Sequence, residues 1–188
     1  MGILMKKEFI WLFASVTIII FLVNLLIYHE SSNWSIAYKT LTSSITICWL
    51  IWFLFKRFLW KLSFFGWFHQ IPNMAGEWEG NVMPINDQMI DVNVRITQEF
   101  DFVKIIMVSD SMISESVNFH LNFNSKNQTS DVIYTYRTEP KVTQLKINPS
   151  HWGTVKLSYI VDQGSTLLRG TYWTNRKTVG DILLIKRK

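Results

Sequence analysis

The chain has 188 residues, 48% of them hydrophobic and 15% aromatic, with nineteen Lys and Arg against fourteen Asp and Glu for a formal charge of +5. Before Pro72 the basic side chains are Lys6, Lys7, Lys39, Lys56, Arg57 and Lys61 against Glu8 and Glu30 alone, so four of the five excess charges sit there and thirteen basic face twelve acidic residues in the rest. That nearly neutral remainder lacks the basic face of a nucleic-acid protein, which excludes a general DNA or RNA binder.

From Phe9 to Tyr28 twenty residues pass without a charge, which at the helical rise matches the roughly 30 Å hydrocarbon core of a bilayer. The run is apolar around its whole circumference, unlike the one-sided helix of a soluble core, and it is longer than the apolar stretch of a cleaved signal peptide. A second uncharged run, Leu41 to Phe55, is shorter. It spans by drawing on Ile36 to Thr40 or on Phe58 to Trp60, with Lys39, Lys56 or Arg57 reaching to the interface. Lys6 and Lys7 before the first run and Lys56, Arg57 and Lys61 after the second place both termini in the cytoplasm.

Within these runs Asn24, Ser43, Ser44 and Thr46 can pair across helices in an assembly or, for the serines, meet lipid headgroups. Neither run holds an ionisable residue that would mark a transport path. The lone cysteine, Cys48, falls in the second run, so no intrachain disulfide forms. Trp60, Phe64, Phe65, Trp67 and Phe68 follow, read as an interfacial belt, with a partner-binding patch as the alternative. Pro72 then stops any helix, dividing the chain into a two-helix membrane region, 1–71, and a soluble domain, 72–188.

From Gly76 the periodicity becomes two. The expected strands are Gly76 to Met83, Met89 to Phe100, Val103 to Ser109, Glu115 to Phe123, Val132 to Thr138, Thr154 to Val161, Thr166 to Thr174 and Gly180 to Lys186. Val92, Val94 and Ile96 alternate with Asp91, Asn93, Arg95 and Thr97, and turn residues stand at Asn86-Asp87, Asn124 to Gln128 and Asp162-Gln163-Gly164. Eight short strands read as a sandwich or a closed barrel, and a barrel of that size encloses side chains or one small ligand.

Enzymatic constellations are missing from the sequence. His29, His69, His120 and His151 lack metal-ligand spacing, and there is no phosphate-binding glycine loop and no G-x-S-x-G. No enzyme, metal or cofactor is expected. Trp78 reads as barrel core and His151 as a residue closing a turn or bordering a site. Arg176 and Thr178 are different, because a turn requires neither. An arginine fork matches phosphate, while threonine hydroxyls and tyrosine rings suit the sugar edges and base faces of a nucleotide.

Four stretches carry a family resemblance: Ile71-Pro72 with Gly76-Glu77-Trp78-Glu79-Gly80; Tyr134-x-Tyr136 with Pro140; His151-x-Gly153-Thr154 with Leu157; and Gly170-x-Tyr172-x-Thr174-x-Arg176-x-Thr178-x-Gly180. The chain resembles the SMODS-associated two-transmembrane β-strand-rich effectors of bacterial CBASS anti-phage defence. The resemblance implies two N-terminal transmembrane helices followed by a compact eight-stranded antiparallel β-barrel. It further implies a cyclic dinucleotide ligand made by a CD-NTase, self-association into an oligomer in the inner membrane, and loss of membrane integrity that kills the infected cell. The expected ligand site is Arg176 on a phosphate, Thr174 and Thr178 on the sugar-phosphate rim, and Tyr134, Tyr136 and Tyr172 as walls or stacking surfaces.

Alternation alone leaves open whether Tyr172 or Trp173 points inward, since a slip of one residue exchanges the faces. If Tyr172 faced outward, Trp173 and Leu167 would supply the walls. Two other functions remain open on sequence: a membrane-tethered, lipocalin-like carrier with a dry apolar cavity, and a structural adaptor with a solid core and a docking surface.

Overall fold

The computed structural model describes residues 7–27, 34–62, 71–85, 88–124, 129–144, 149–162 and 164–187. The chain divides into two units, a helical one, Leu4–Phe65, and a barrel within Gly66–Lys188. Phe64, Phe65, Trp67 and Phe68, the Asn86-Asp87 turn and most of the turn before Thr129 lie outside the described residues.

In the helical unit the two apolar runs form α1 (Lys7–Ile27) and α2 (Trp34–Arg57), followed by a 3-10 turn, Leu59–Lys61. Thr40, Ser44 and Cys48 are buried four residues apart along α2, a stripe of small side chains of the kind that lets helices approach closely. The Asn24 amide donates to Ser44 Oγ across the pair (3.0 Å) and to Ile20 O in its own helix (2.9 Å), and Ser44 donates to Thr40 O (2.8 Å). The expected pairing of Asn24 is therefore found within one chain. Large apolar side chains such as Leu22, Leu26, Ile45, Trp49 and Phe53 face outward, the inverse of a soluble helix pair. Tyr38–Arg57 is long and apolar enough to cross a membrane, whereas the described apolar stretch of α1 is the shorter Ala14–Asn24. Trp60 is buried, unlike the belt residue expected there, and the Lys61 ammonium stands 5.8 Å over its ring.

Residues that alternate Val or Ile with Asp, Asn or Arg can bury one face only as strands. They do so in β1 (Gly76–Pro84), β2 (Ile90–Gln98), β3 (Val103–Val108), β4 (Met112–Asn124), β5 (Thr129–Pro140), β6 (His151–Asp162), β7 (Ser165–Thr174) and β8 (Val179–Lys186). Each strand pairs antiparallel with the next, and β1 pairs with β8 to close the barrel. All eight expected strands are present, and the main differences are early starts for β4 and β6 and an extension of β5 at both ends. His151 consequently opens β6 and faces inward, where a turn residue was one expectation.

One end of the barrel is packed solid by Met74, Trp78, Val94, Ile96, Val132, Leu157, Leu168 and Leu184, each full burial being worth about 1.5–3 kcal/mol for a large aliphatic side chain. Gln98 is buried there because both ends of its amide are used: it accepts from Met74 N–H (2.7 Å) and donates to Pro72 O (3.0 Å). Trp78 Nε1 donates to Met74 O (2.9 Å) and the Lys186 ammonium lies 5.7 Å from its ring. The chain thus joins β1 across a sealed barrel end.

β4 carries a bulge between Ser116 and Asn118. Ser114 and Ser116 face inward before it and Phe119 and Leu121 after it, so Val117 and Asn118 both face out. Side chains bridge the disrupted ladder: Ile105 N–H donates to Ser116 Oγ and Thr135 N–H to Asn118 Oδ1, each at 2.9 Å.

Candidate functional site

At the end opposite the plug the barrel opens into a cavity of about 590 Å³, within the range of small-molecule sites. Its mouth is formed by the ends of β1, β3, β5 and β7 and the starts of their successors. Val92, Ile105, Val155 and Ile182 supply apolar lining, Ser109, Ser114, Ser116, Thr138, Thr174 and Thr178 supply hydroxyls, and His151, Arg176 and Lys177 add nitrogen-bearing side chains. No carboxylate is among the lining residues described.

Tyr134, Tyr136, Tyr172, Thr174, Arg176 and Thr178 all line this one cavity. Tyr172 is 7% exposed and Trp173 45%, which settles the register: the tyrosine points in. Cross-strand glycines make room for two of the rings. Tyr136 pairs with Gly153 and Tyr172 with Gly180; a Cβ on Gly153 would lie 2.3 Å from Tyr136 Cζ, and one on Gly180 2.7 Å from Tyr172 Cε1. Both glycines belong to the motifs quoted above, so those motifs encode the space in which the tyrosines lie.

Tyr134 and Tyr136 are 6.2 Å apart between ring centroids, and the Tyr136 ring meets His151 edge-on at 6.5 Å. Burial pushes both phenol pKa values above the ordinary tyrosine range, with Tyr172 adding to the effect on Tyr136 and Tyr136 to that on Tyr134. Both therefore keep their protons at neutral pH. Burial likewise holds His151 below its ordinary 6.5, the carbonyl of Pro149 opposing and Arg176 reinforcing the shift. In the neutral ring Nδ1–H donates to Pro149 O (3.3 Å), leaving Nε2 as an acceptor.

The β7–β8 turn is built around one hydroxyl. Thr174 Oγ1 accepts the backbone N–H of Arg176 (3.2 Å) and of Thr178 (3.3 Å) and lies 2.6 Å from Thr178 Oγ1. With its lone pairs occupied, Thr174 is the donor of that last bond. Asn175 ties the turn to β6 by donating to Trp152 O (3.0 Å) and accepting from Trp152 N–H (3.2 Å). Sequence reasoning did not select Ser114, Ser116, Thr138 or Lys177. Ser114 and Thr138 are a cross-strand pair with hydroxyls 2.8 Å apart, and their signal in the sequence is a short polar residue at alternate positions near a strand end.

The family model described as "Cap15, cyclic dinucleotide receptor domain" matches residues 69–186, which contain every strand and the whole cavity. The chain belongs to the Cap15 family. A Staphylococcus schleiferi protein named CD-NTase-associated protein 15 is 33% identical over 175 residues, 92% of this chain and 92% of that one. A Yersinia aleksiciae protein of the same name is 26% identical over 183 residues, 95% of this chain and 85% of that one. In this Cap15 family member the matched region thus coincides with a barrel plugged at one end and open at the other. Among the described residues no group of three His, Cys, Asp or Glu is placed to hold a metal ion.

Proposed function

We propose that this protein is a CBASS effector whose barrel cavity binds a cyclic dinucleotide made by a CD-NTase. The observation that carries the reading is the lining of the cavity, where tyrosine rings and hydroxyls adjoin cationic side chains with no carboxylate among the described residues. A cyclic dinucleotide has two anionic phosphodiesters, hydroxyl-bearing sugars and flat bases. Arg176 holds a phosphate, Thr178 with Thr174 serves the sugar-phosphate rim, and Tyr134, Tyr136 and Tyr172 give walls to the bases. A polar, cationic mouth counts against a carrier of apolar cargo, and an open cavity against an adaptor with a solid core.

The protein performs no chemistry in this scheme. Both helices cross the bacterial inner membrane, with the termini and barrel cytoplasmic, a reading supported by the outward apolar side chains of α1 and α2 and by the flanking lysines. Binding favours the self-associated state, and membrane integrity is lost. That requires the ligand to bind the assembling state more tightly than the resting one, by about 5.5 kcal/mol for a full inversion from 1:99 to 99:1.

Thermal unfolding of the full-length protein in detergent, against a panel of cyclic dinucleotides and their linear counterparts, tests the binding step. A ligand at a hundred times its Kd stabilises by about 2.7 kcal/mol. A shift with one cyclic compound and none with its linear form is expected; a folded protein indifferent to the whole panel would remove the reading.

A further inference from the structure

The turn between β7 and β8 contains a conformation its sequence does not favour. Thr174 N–H donates to Thr178 O and Lys177 N–H to Thr174 O, each at 3.0 Å, giving a hairpin loop of Asn175, Arg176 and Lys177. In such three-residue loops the last residue is left-handed and is ordinarily Gly. Here it is Lys177, at φ 63°, and among the described residues it alone of the non-glycines has a positive φ. A side chain in that region is disfavoured, and such strain persists only where the surroundings over-determine it. They do so here: the Thr174 hydroxyl holds two backbone N–H groups of the turn and Asn175 is bonded twice to Trp152.

Lys177 does nothing for the turn that glycine would not do better. Its side chain lines the cavity mouth beside Arg176, and no carboxylate pairs with it among the described residues. We propose that Lys177 is a second anion-binding residue of the ligand site, held at the mouth by a strained backbone so that a doubly charged ligand meets two adjacent cations. This rests on the cyclic dinucleotide reading above. The division of labour follows from side-chain chemistry: Arg176 offers a planar fork for bidentate contact, and Lys177 a mobile point charge that needs no fixed geometry.

Lys177→Gly and Lys177→Arg in the full-length protein, titrated with the cyclic dinucleotide that most stabilises the wild type, separate charge from strain. Lys177→Gly is expected to raise the unliganded unfolding midpoint by about 3 °C as the strain is relieved, yet to weaken binding about tenfold. Lys177→Arg keeps both charge and strain, so its midpoint stays at the wild-type value and its affinity within about threefold of wild type. Unchanged affinity in Lys177→Gly overturns the role of Lys177 while leaving the cyclic dinucleotide reading intact. A Lys177→Gly protein that binds weakly and is also less stable overturns it too, since the lost affinity then follows from a damaged turn. If the wild type binds no member of the panel, the reading and this inference fall together.

Discussion

The ring of Tyr136 lies across Gly153 on the neighbouring strand, so close that a single added carbon on the glycine would sit 2.3 Å from Cζ and from the phenol oxygen. The pair is in register between β5 and β6, and its packing places the ring against the cavity and His151. Gly153→Ala is expected to evict the ring and destabilise the barrel by about 1–3 kcal/mol, the usual penalty of overpacking. Adding Tyr136→Leu should recover part of that loss, a coupling of about 1 kcal/mol or more in a double-mutant cycle read by denaturant unfolding. Strict additivity would show that the ring does not depend on the glycine.

Arg176 stands on an exposed turn, and its replacement leaves the core untouched. Arg176→Ala should therefore keep its unfolding free energy within about 0.5 kcal/mol of wild type. Its cyclic dinucleotide affinity should fall by ten- to about a hundredfold, the range for losing a hydrogen bond to a charged group. Calorimetric titration gives both the affinity and the stoichiometry; wild-type binding by the variant would take Arg176 out of the site.

Thr174 and Thr178 share a bond but have different expected phenotypes. Thr174→Val removes the acceptor of two backbone N–H groups and should cost about 1–2 kcal/mol of stability. Thr178→Val removes a hydroxyl that receives no backbone donor among the described contacts, so it should unfold closer to wild type and lose affinity instead. Parallel melting and titration of the two variants read this split, and equal losses of stability would refute it.

The histidine makes stability depend on acidity with a definite sign. His151 is shifted down from 6.5, by burial first, so the unfolded chain binds its proton at higher pH than the folded one does. The contribution is complete above about pH 6.5 and is lost as pH falls below it toward the folded value. His151→Gln should accordingly lose less of its unfolding midpoint than wild type between about pH 7.5 and about pH 5.5. An identical acid response in the two proteins would assign the loss to other groups.

The proposed topology is open to direct labelling, since Cys48 is the chain's single cysteine. In a Cys48→Ser background, Ser32→Cys should react with an impermeant maleimide in intact spheroplasts, and Asp162→Cys only after lysis. Labelling of Asp162→Cys from outside would reverse the orientation, and protection of both would place the connection between the two runs on the cytoplasmic side.

Much of this architecture is legible in the chain because each strand advertises its buried face. Val92, Val94 and Ile96 face inward and Asp91, Asn93 and Arg95 outward as their alternation requires. The six candidate site residues converge on one cavity because four of them fall in the last hairpin and the other two are the Tyr134-x-Tyr136 pair, near the same barrel end. Alternation could not place Tyr172 against Trp173. That choice is made by Gly180, opposite Tyr172, which leaves the ring space inside the barrel. Nor could it find Ser114 and Ser116, because the bulge at Val117 breaks the period within β4 and a pattern projected back from Phe119 would turn both serines outward. The left-handed Lys177 was equally hidden, since nothing about lysine announces that conformation.

Closure of β1 onto β8 has a further consequence. A sheet with both margins sewn together presents no row of unsatisfied amides and carbonyls to another chain. Self-association of this protein through its barrel cannot proceed by adding strand to strand, the route by which fibrils propagate and become kinetically irreversible. Any multimer must be held by side-chain surfaces or by the helices, without a backbone ladder running from chain to chain. The staves of the barrel would thus set any such multimer apart from amyloid in kind.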